Sequence, residues 1–206
     1  MRTANDQDAV ETFERCIIEA VETLNIFNKV LINTTRRDTR HDGVYDITQI
    51  IQDSFVMFQD LLVAKPIRFQ MNLSINPAFV VGNRFHLEQL FKNVILNVID
   101  SIKDAEDNLL RVTVEQTEDL MWVETTIEDT GFGVPEDPPE NIFESYFTGK
   151  PEGTGLGLAV VKKTVAEHRG KIQVEGEVGK WTKLRILLPA SSHASTEQRN
   201  ESRSAM

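Results

Sequence analysis

The chain is poor in three things. It has a single cysteine, Cys16, among 206 residues. One thiol cannot build an internal disulfide framework, and this fits a reducing compartment. It has no apolar run near the roughly 18 residues that a membrane-spanning helix needs. The stretch from Met1 to Val10 is polar and lacks the hydrophobic centre of a signal peptide. A cytoplasmic location is expected, either for a free protein or for the cytoplasmic part of a membrane-anchored parent. Positive charge is also scarce: 22 Lys and Arg stand against 32 Asp and Glu, a net charge of −10. A nucleic-acid surface needs clustered cations, so no nucleic-acid partner is expected. At 40% hydrophobic and 26% charged residues, the composition is that of a soluble globular protein. The length allows one full domain plus an appended element.

What the chain does have is glycine in two places. Asp129-Thr130-Gly131-Phe132-Gly133-Val134-Pro135 is followed downstream by Gly153-Thr154-Gly155-Leu156-Gly157-Leu158. Glycine lets another group approach the backbone closely, and a glycine turn opening a helix presents free N–H groups to an anion. The second stretch runs into a helical pattern at Leu158-Ala159-Val160-Val161-Lys162-Lys163. Neither is a Walker A loop, because no Gly-Lys-Ser/Thr follows. The second is not a dinucleotide fingerprint either, because no βαβ unit with a downstream acid surrounds it.

Val10, Phe13, Ile17, Ala20, Leu24, Phe27 and Leu31 alternate spacings of three and four. That predicts a long helix with a heptad seam over residues 8–35. It either packs on its own domain or joins a bundle whose other helices come from a second copy or an absent segment. Thr34 to Val44 reads as a charged hinge containing His41. Three units follow: residues 1–45 as a helical dimerisation segment and hinge, 46–190 as a domain, and 191–206 as a disordered tail.

In the domain, Asp46 and Gln49 read as a capping box opening a helix from Ile47 to Ala64, which Pro66 stops. Residues 67–74 and 79–81 read as strands. Asn83 is an N-cap candidate for a helix from Arg84 to Asp104. That helix carries an apolar stripe and, on another face, Gln89, Asn93 and Asn97 at intervals of four, continued by Asp100 and Ser101. The row is either an exposed polar face or a face of oxygen ligands, of the kind that Mg²⁺ takes together with phosphates and water. Residues 110–116 and 122–128 read as a hairpin that delivers Asp129 into the first glycine turn. There it is either a turn residue or an acceptor for an exocyclic amine. Residues 136–152 read as a lid with aromatic anchors, ending near Lys150, which is a surface lysine or a contact for a terminal phosphate. The last helix, Leu158–His168, stops at Gly170. Strands at 171–177 and 183–188 close the sheet.

This order resembles the GHKL ATP-binding superfamily, and within it the catalytic domain of sensor histidine kinases of the nitrogen-sensor type. Asn93-Val94-Ile95-Leu96-Asn97 looks like the N box, Asp129 to Pro135 the G1 box, Phe143 to Lys150 the F box, and Gly153 to Leu158 the G2 box. The resemblance covers roughly residues 46–189, and residues 8–36 look like the second helix of the dimerisation and phosphotransfer hairpin. It implies an α+β fold: a two-layer α/β sandwich, with helices on one face of a mixed, mostly antiparallel sheet, preceded by the long helix. ATP would lie between the helices and the lid. Asn97 would hold Mg²⁺ with support from Asn93. Asp129 would read the adenine amine beside Gly131, Gly133 and Thr182. Gly153, Thr154, Gly155, Leu156, Gly157 and Leu158 would line the phosphates, and Lys150 would approach the γ-phosphate. The catalytic set would be Asn93, Asn97 and Lys150.

The implied activity is transfer of the γ-phosphate to a histidine. Hydrolytic members carry a glutamate where this chain has Asn93, and an amide is a poor base. None of His41, His86, His168 or His193 has the phosphoacceptor setting, so the acceptor is expected on a hairpin outside this chain. His168, at a helix end, would suit the dipole as a cation. A response regulator and a second copy of the chain, joined through the N-terminal helix, are the other implied partners. Alternatives are a nucleotide-binding pseudokinase, which Asp100 and Trp181 would favour, and an anti-sigma-type Ser/Thr kinase. Trp181 would narrow the adenine end or cap the last hairpin.

Overall fold

The computed structural model describes residues 42–65, 67–75, 77–102, 108–134, 139–147 and 155–191. The heptad segment, His41, His193 and the tail from residue 192 lie outside these. Strand β1, Gly43–Asp46, is followed by helices α1, Ile47–Met57, and α2, Gln59–Val63. Strands β2, Ile67–Leu73, and β3, Phe79–Gly82, precede helix α3, Arg84–Ser101. Strands β4, Asn108–Gln116, and β5, Trp122–Asp129, lead through a 3-10 turn at Pro139–Phe143 to helix α4, Gly157–Glu167. Strands β6, Lys171–Glu177, and β7, Trp181–Pro189, end the unit.

Five strands form one sheet in the order β2-β4-β5-β7-β6. Only the β2–β4 pairing is parallel; β4–β5, β5–β7 and β6–β7 are antiparallel. The sheet is therefore mixed and mostly antiparallel, as the resemblance implies. Alternation along the strands separates two faces. Leu110, Val112, Val114, Val123, Ile127, Leu184, Ile186 and Leu188 are buried and share one core with Leu87, Leu90, Phe91, Val94 and Ile95 of α3. Each such side chain contributes about 1.5–3 kcal/mol relative to exposure. The other face is charged. Arg111 Nη1 and Lys183 Nζ meet Glu128 at 2.9 and 3.1 Å, and Arg185 Nε meets Glu124 at 2.8 Å. Hydrogen bonding to Glu124 raises the Arg185 pKa above its ordinary value.

Several local expectations change. Gly43–Asp46 pairs antiparallel with Phe79–Gly82, so part of the stretch read as a hinge is strand. The single helix expected over Ile47–Ala64 breaks at Phe58, which adopts a non-helical conformation. Only half of the capping box forms. Asp46 Oδ1 accepts from Thr48 N at 3.0 Å and Thr48 Oγ1 at 2.6 Å, whereas Gln49 donates forward to Asp53. Asp46 Oδ1 also accepts from Ala78 N at 3.0 Å, which ties the helix start to the approach of β3. Ser191, placed in the tail, donates its N–H to Phe79 O at 2.8 Å.

Both ends of α3 are held. Asn83 caps it by accepting from His86 N at 3.2 Å. At the other end Lys65 Nζ donates to Ile99 O at 2.6 Å and Ile102 O at 3.3 Å, a cation on the negative end of the helix. The helix ends at Ser101 rather than Asp104. His168 does not act as a cation on the dipole of α4. Its Nε2 accepts from Asn83 N at 3.1 Å and its Nδ1 faces Thr164 O at 2.7 Å. A ring with one accepting nitrogen is neutral, and it staples the end of α4 to the start of α3.

Asp46 thus serves three donors. Asp46→Ala is expected to lower the unfolding free energy by about 2 kcal/mol, the upper range for loss of an N-cap, in urea unfolding followed by circular dichroism. A loss under about 0.5 kcal/mol would contradict this role.

Candidate functional site

Asp129 owes its position to strand alternation. Residues 123, 125 and 127 of β5 face the core, and so does residue 129. In register it lies between Leu110 of β4 and Thr182 of β7. The inward-facing row Val123, Thr125, Ile127 therefore ends in a carboxylate that is 5% exposed. Burying a charge is costly unless it is hydrogen-bonded. Asp129 Oδ1 accepts from Gly131 N at 2.9 Å and from Ser101 Oγ at 2.9 Å. Thr182 stands opposite Asp129 on the same face. Trp181, its neighbour, belongs by alternation to the charged face with Lys183 and Arg185. Its side chain therefore lies on the face opposite Thr182 and Asp129. The expected strand start at residue 183 had left both residues in the turn.

The second end of the site lies along α3. Asn97 and Ser101 are one turn apart on the same face, about 6 Å along the axis. Asn97 Nδ2 is buried and has no hydrogen-bond partner among the described residues. An unpaired buried amide costs about 1–3 kcal/mol. A Cβ at Gly157 would lie 3.3 Å from Asn97 Nδ2 and 4.0 Å from its Oδ1, so the amide faces the first residue of α4. Leu156 is the N-cap of α4; its side chain makes no capping bond, and the first turn contains no acid. Among the described residues no side chain caps that turn, so its N–H donors and the positive end of the helix are open to an anion. An orphaned amide beside an uncapped helix start fits a ligand carrying oxygen anions and an oxygen-seeking cation. Which amide atom is oxygen follows from the partner it meets, so rotation of the Asn97 amide presents its oxygen to a cation. Asn93, one turn earlier, is half-buried, and Leu158 follows Gly157 in the first turn.

Gly155 also carries a backbone constraint that its spacing did not show. Its φ is +63°, and a Cβ there would lie 2.5 Å from the backbone carbon of Tyr146. It is reserved for the contact between the lid base and the glycine turn, where Tyr146 N donates to Gly155 O at 3.0 Å. Gly133 lies against the backbone of Glu177 in the β6–β7 hairpin. Of the aromatic anchors, Phe143 is buried at 4% exposure, but Tyr146 is 70% exposed. Lys150, Gly153 and Thr154 lie outside the described residues. Ser101, beside Asp129, was read only as a continuation of the amide row; nothing in its helix spacing pointed to Asp129.

An apolar cleft of about 620 Å³ opens elsewhere, between α1, α2 and β2, lined by Phe55, Val56, Leu62, Val63, Ile67 and Phe69. Lys65, also at this cleft, is committed to the α3 carbonyls, and the amide row is not among its lining residues. No described helix is long and apolar enough to cross a membrane.

A mixed sheet covered on one face by helices, with a buried acid at one end of the site and an uncapped helix start at the other, defines a nucleotide-binding α/β sandwich. Residues 82–192 match the family described as histidine kinase-, DNA gyrase B-, and HSP90-like ATPase; this is more than half of the chain, and the chain belongs to that family. Sporulation kinase E of Bacillus subtilis (strain 168) is 34% identical over 157 residues, 75% of this chain and 20% of that protein. Sensor histidine kinase RppB of Synechocystis sp. is 29% identical over 189 residues, 89% of this chain and 40% of that protein. The chain thus spans less than half the length of either relative. The solved catalytic domain of histidine kinase ThkA superposes with a TM-score of 0.64 at 25% identity, covering 72% of this chain and 95% of that domain.

The glycines can be told apart by stability. Gly155→Ala is expected to cost more than about 1 kcal/mol, because both its φ and its space are wrong for a side chain. Gly157→Ala should be neutral or slightly stabilising. Alanine favours a helix by about 1 kcal/mol over glycine, and only the Asn97 amide must yield. Thermal unfolding of the two variants checks this; equal losses would contradict the assignment.

Proposed function

We propose that the chain is the ATP-binding catalytic core of a two-component sensor histidine kinase. It would move the γ-phosphate of Mg-ATP to a histidine on a hairpin outside these residues, in the same protein or a partner. A response regulator would then be the downstream acceptor, and the segment over residues 8–35 would join two copies. The observation that carries the reading is the pairing of a buried, inward-facing Asp129 with an orphaned Asn97 amide at an uncapped helix start.

In this reading Asp129 accepts a hydrogen bond from the adenine amine, with Thr182 beside it. The N–H groups of Gly157 and Leu158 meet phosphate oxygens, where the helix dipole favours negative charge. Asn97 would hold Mg²⁺, and the bound ion would neutralise charge that builds on the phosphates during transfer. Asn93 supports Asn97 and offers no basic group to activate water, which spares the γ-phosphate for a protein nucleophile. Lys150 is the cation proposed to approach that phosphate. The domain then runs over about residues 46–190.

Isothermal calorimetry with Mg-ATP tests the site. Asn97→Ala and Asp129→Ala are each expected to bind at least about tenfold more weakly, or ~1.4 kcal/mol. Asn97→Ala should meanwhile unfold at the same or a higher temperature, since it removes an unpaired buried amide. Wild-type affinity in both variants would remove the site. Incubation with γ-labelled ATP and a protein carrying an intact histidine hairpin tests the activity. Acid-labile phosphate on the hairpin is expected; nucleotide binding without it would overturn the kinase reading.

A further inference from the structure

Ser101 is the last residue of α3, and the mechanism above gives its hydroxyl no task. Its Oγ lies 2.9 Å from Asp129 Oδ1 and 2.8 Å from Val98 O. A hydroxyl has one proton to give. Val98 O already receives the N–H of Ile102 at 3.0 Å, and an ionised carboxylate is the stronger acceptor. The proton therefore goes to Asp129. Gly131 N donates to the same oxygen at 2.9 Å. Two donors, one from a helix end and one from the glycine turn, converge on one carboxylate oxygen. The space for this exists because residue 131 is glycine. A Cβ there would collide with Ser101 Oγ and lie 2.5 Å from Ser101 O.

The terminal torsion of an aspartate is broad and soft. A carboxylate that must recognise one amine benefits from being held in one plane before the ligand arrives. We infer that Ser101 is a positioning residue for Asp129. It acts through the carboxylate and sets how strongly the site prefers a purine with an exocyclic amine over one without. The inference rests on the reading that Asp129 receives that amine. Ser101 is not needed to hold the helix end, because Lys65 Nζ already binds Ile99 O and Ile102 O. Removing the hydroxyl thus takes away a donor while the anchor of α3 stays.

The experiment compares calorimetric binding of Mg-ATP with that of the triphosphate of unsubstituted purine riboside, which lacks the amine. Wild type is expected to prefer ATP. Ser101→Ala should weaken ATP by about 3- to 10-fold, the scale of one hydrogen bond to a charged group, and leave the amine-free triphosphate within about twofold. Ser101→Thr, which keeps the hydroxyl, should restore ATP binding. In an Asp129→Ala background Ser101→Ala should cost nothing further. Equal weakening of both nucleotides would make Ser101 merely structural and overturn the inference. So would unchanged ATP binding in Ser101→Ala, or full additivity with Asp129→Ala. If Asp129→Ala loses the preference and Ser101→Ala keeps it, this inference alone fails. If Asp129→Ala keeps the preference, the parent reading fails and this inference with it.

Discussion

Helix α3 buries Leu87, Leu90, Phe91, Val94, Ile95, Val98 and Ile99, and that packing decides which of its side chains can face α4. At 3.6 residues per turn, this burial leaves Asn93, Asn97 and Ser101 on a neighbouring face. Turning the helix to solvate Asn97 would expose several apolar side chains at about 1.5–3 kcal/mol each. The unpaired amide costs about 1–3 kcal/mol. Apolar packing wins, and the amide stays aimed at Gly157 without a partner among the described residues.

The sheet imposes the matching constraint at Asp129. Asp129 stands on the inner face because Val123, Thr125 and Ile127 do, and because β4 and β7 hold β5 in register with Leu110 and Thr182. A slip of one residue would turn every side chain to the opposite face. It would place Glu128 in the core and Asp129 among the charges around Arg111 and Lys183. The apolar inner rows resist that slip. The more exposed pairs of Arg111 and Lys183 with Glu128 add little, since such pairs contribute about 0–1 kcal/mol. Helix and sheet then meet at Ser101, where the end of one row touches the end of the other.

Much of this was legible from residue patterns, and the failures have physical reasons. The apolar stripe located α3, and Asn83 marked its start. Alternation along β4 and β5 predicted both strands and delivered Asp129 at the end of the second. Contacts between distant elements were not legible. Nothing local shows that Lys65 reaches the carbonyls of α3, or that the His168 ring is used as an acceptor by Asn83 N. Glycine spacing suggested phosphate contacts throughout the second turn; only tertiary structure shows that Gly155 is also packed against the lid base, whereas Gly157 faces the Asn97 amide. The last strand begins at Trp181, two residues earlier than its apolar pattern suggests, which places Trp181 at the hairpin end, the second of its two expected roles.

The central claim is that nucleotide lies between α3 and α4, and not in the apolar cleft at α1, α2 and β2. Amide chemical shifts under Mg-ATP titration separate the two most directly. The account predicts that the side-chain amide of Asn97 and the backbone amides of Gly131, Gly157 and Leu158 shift together and saturate with one affinity, while Val63, Ile67 and Phe69 stay unmoved. Shifts confined to Val63, Ile67 and Phe69, with Asn97 and Gly157 unmoved at saturation, would contradict it.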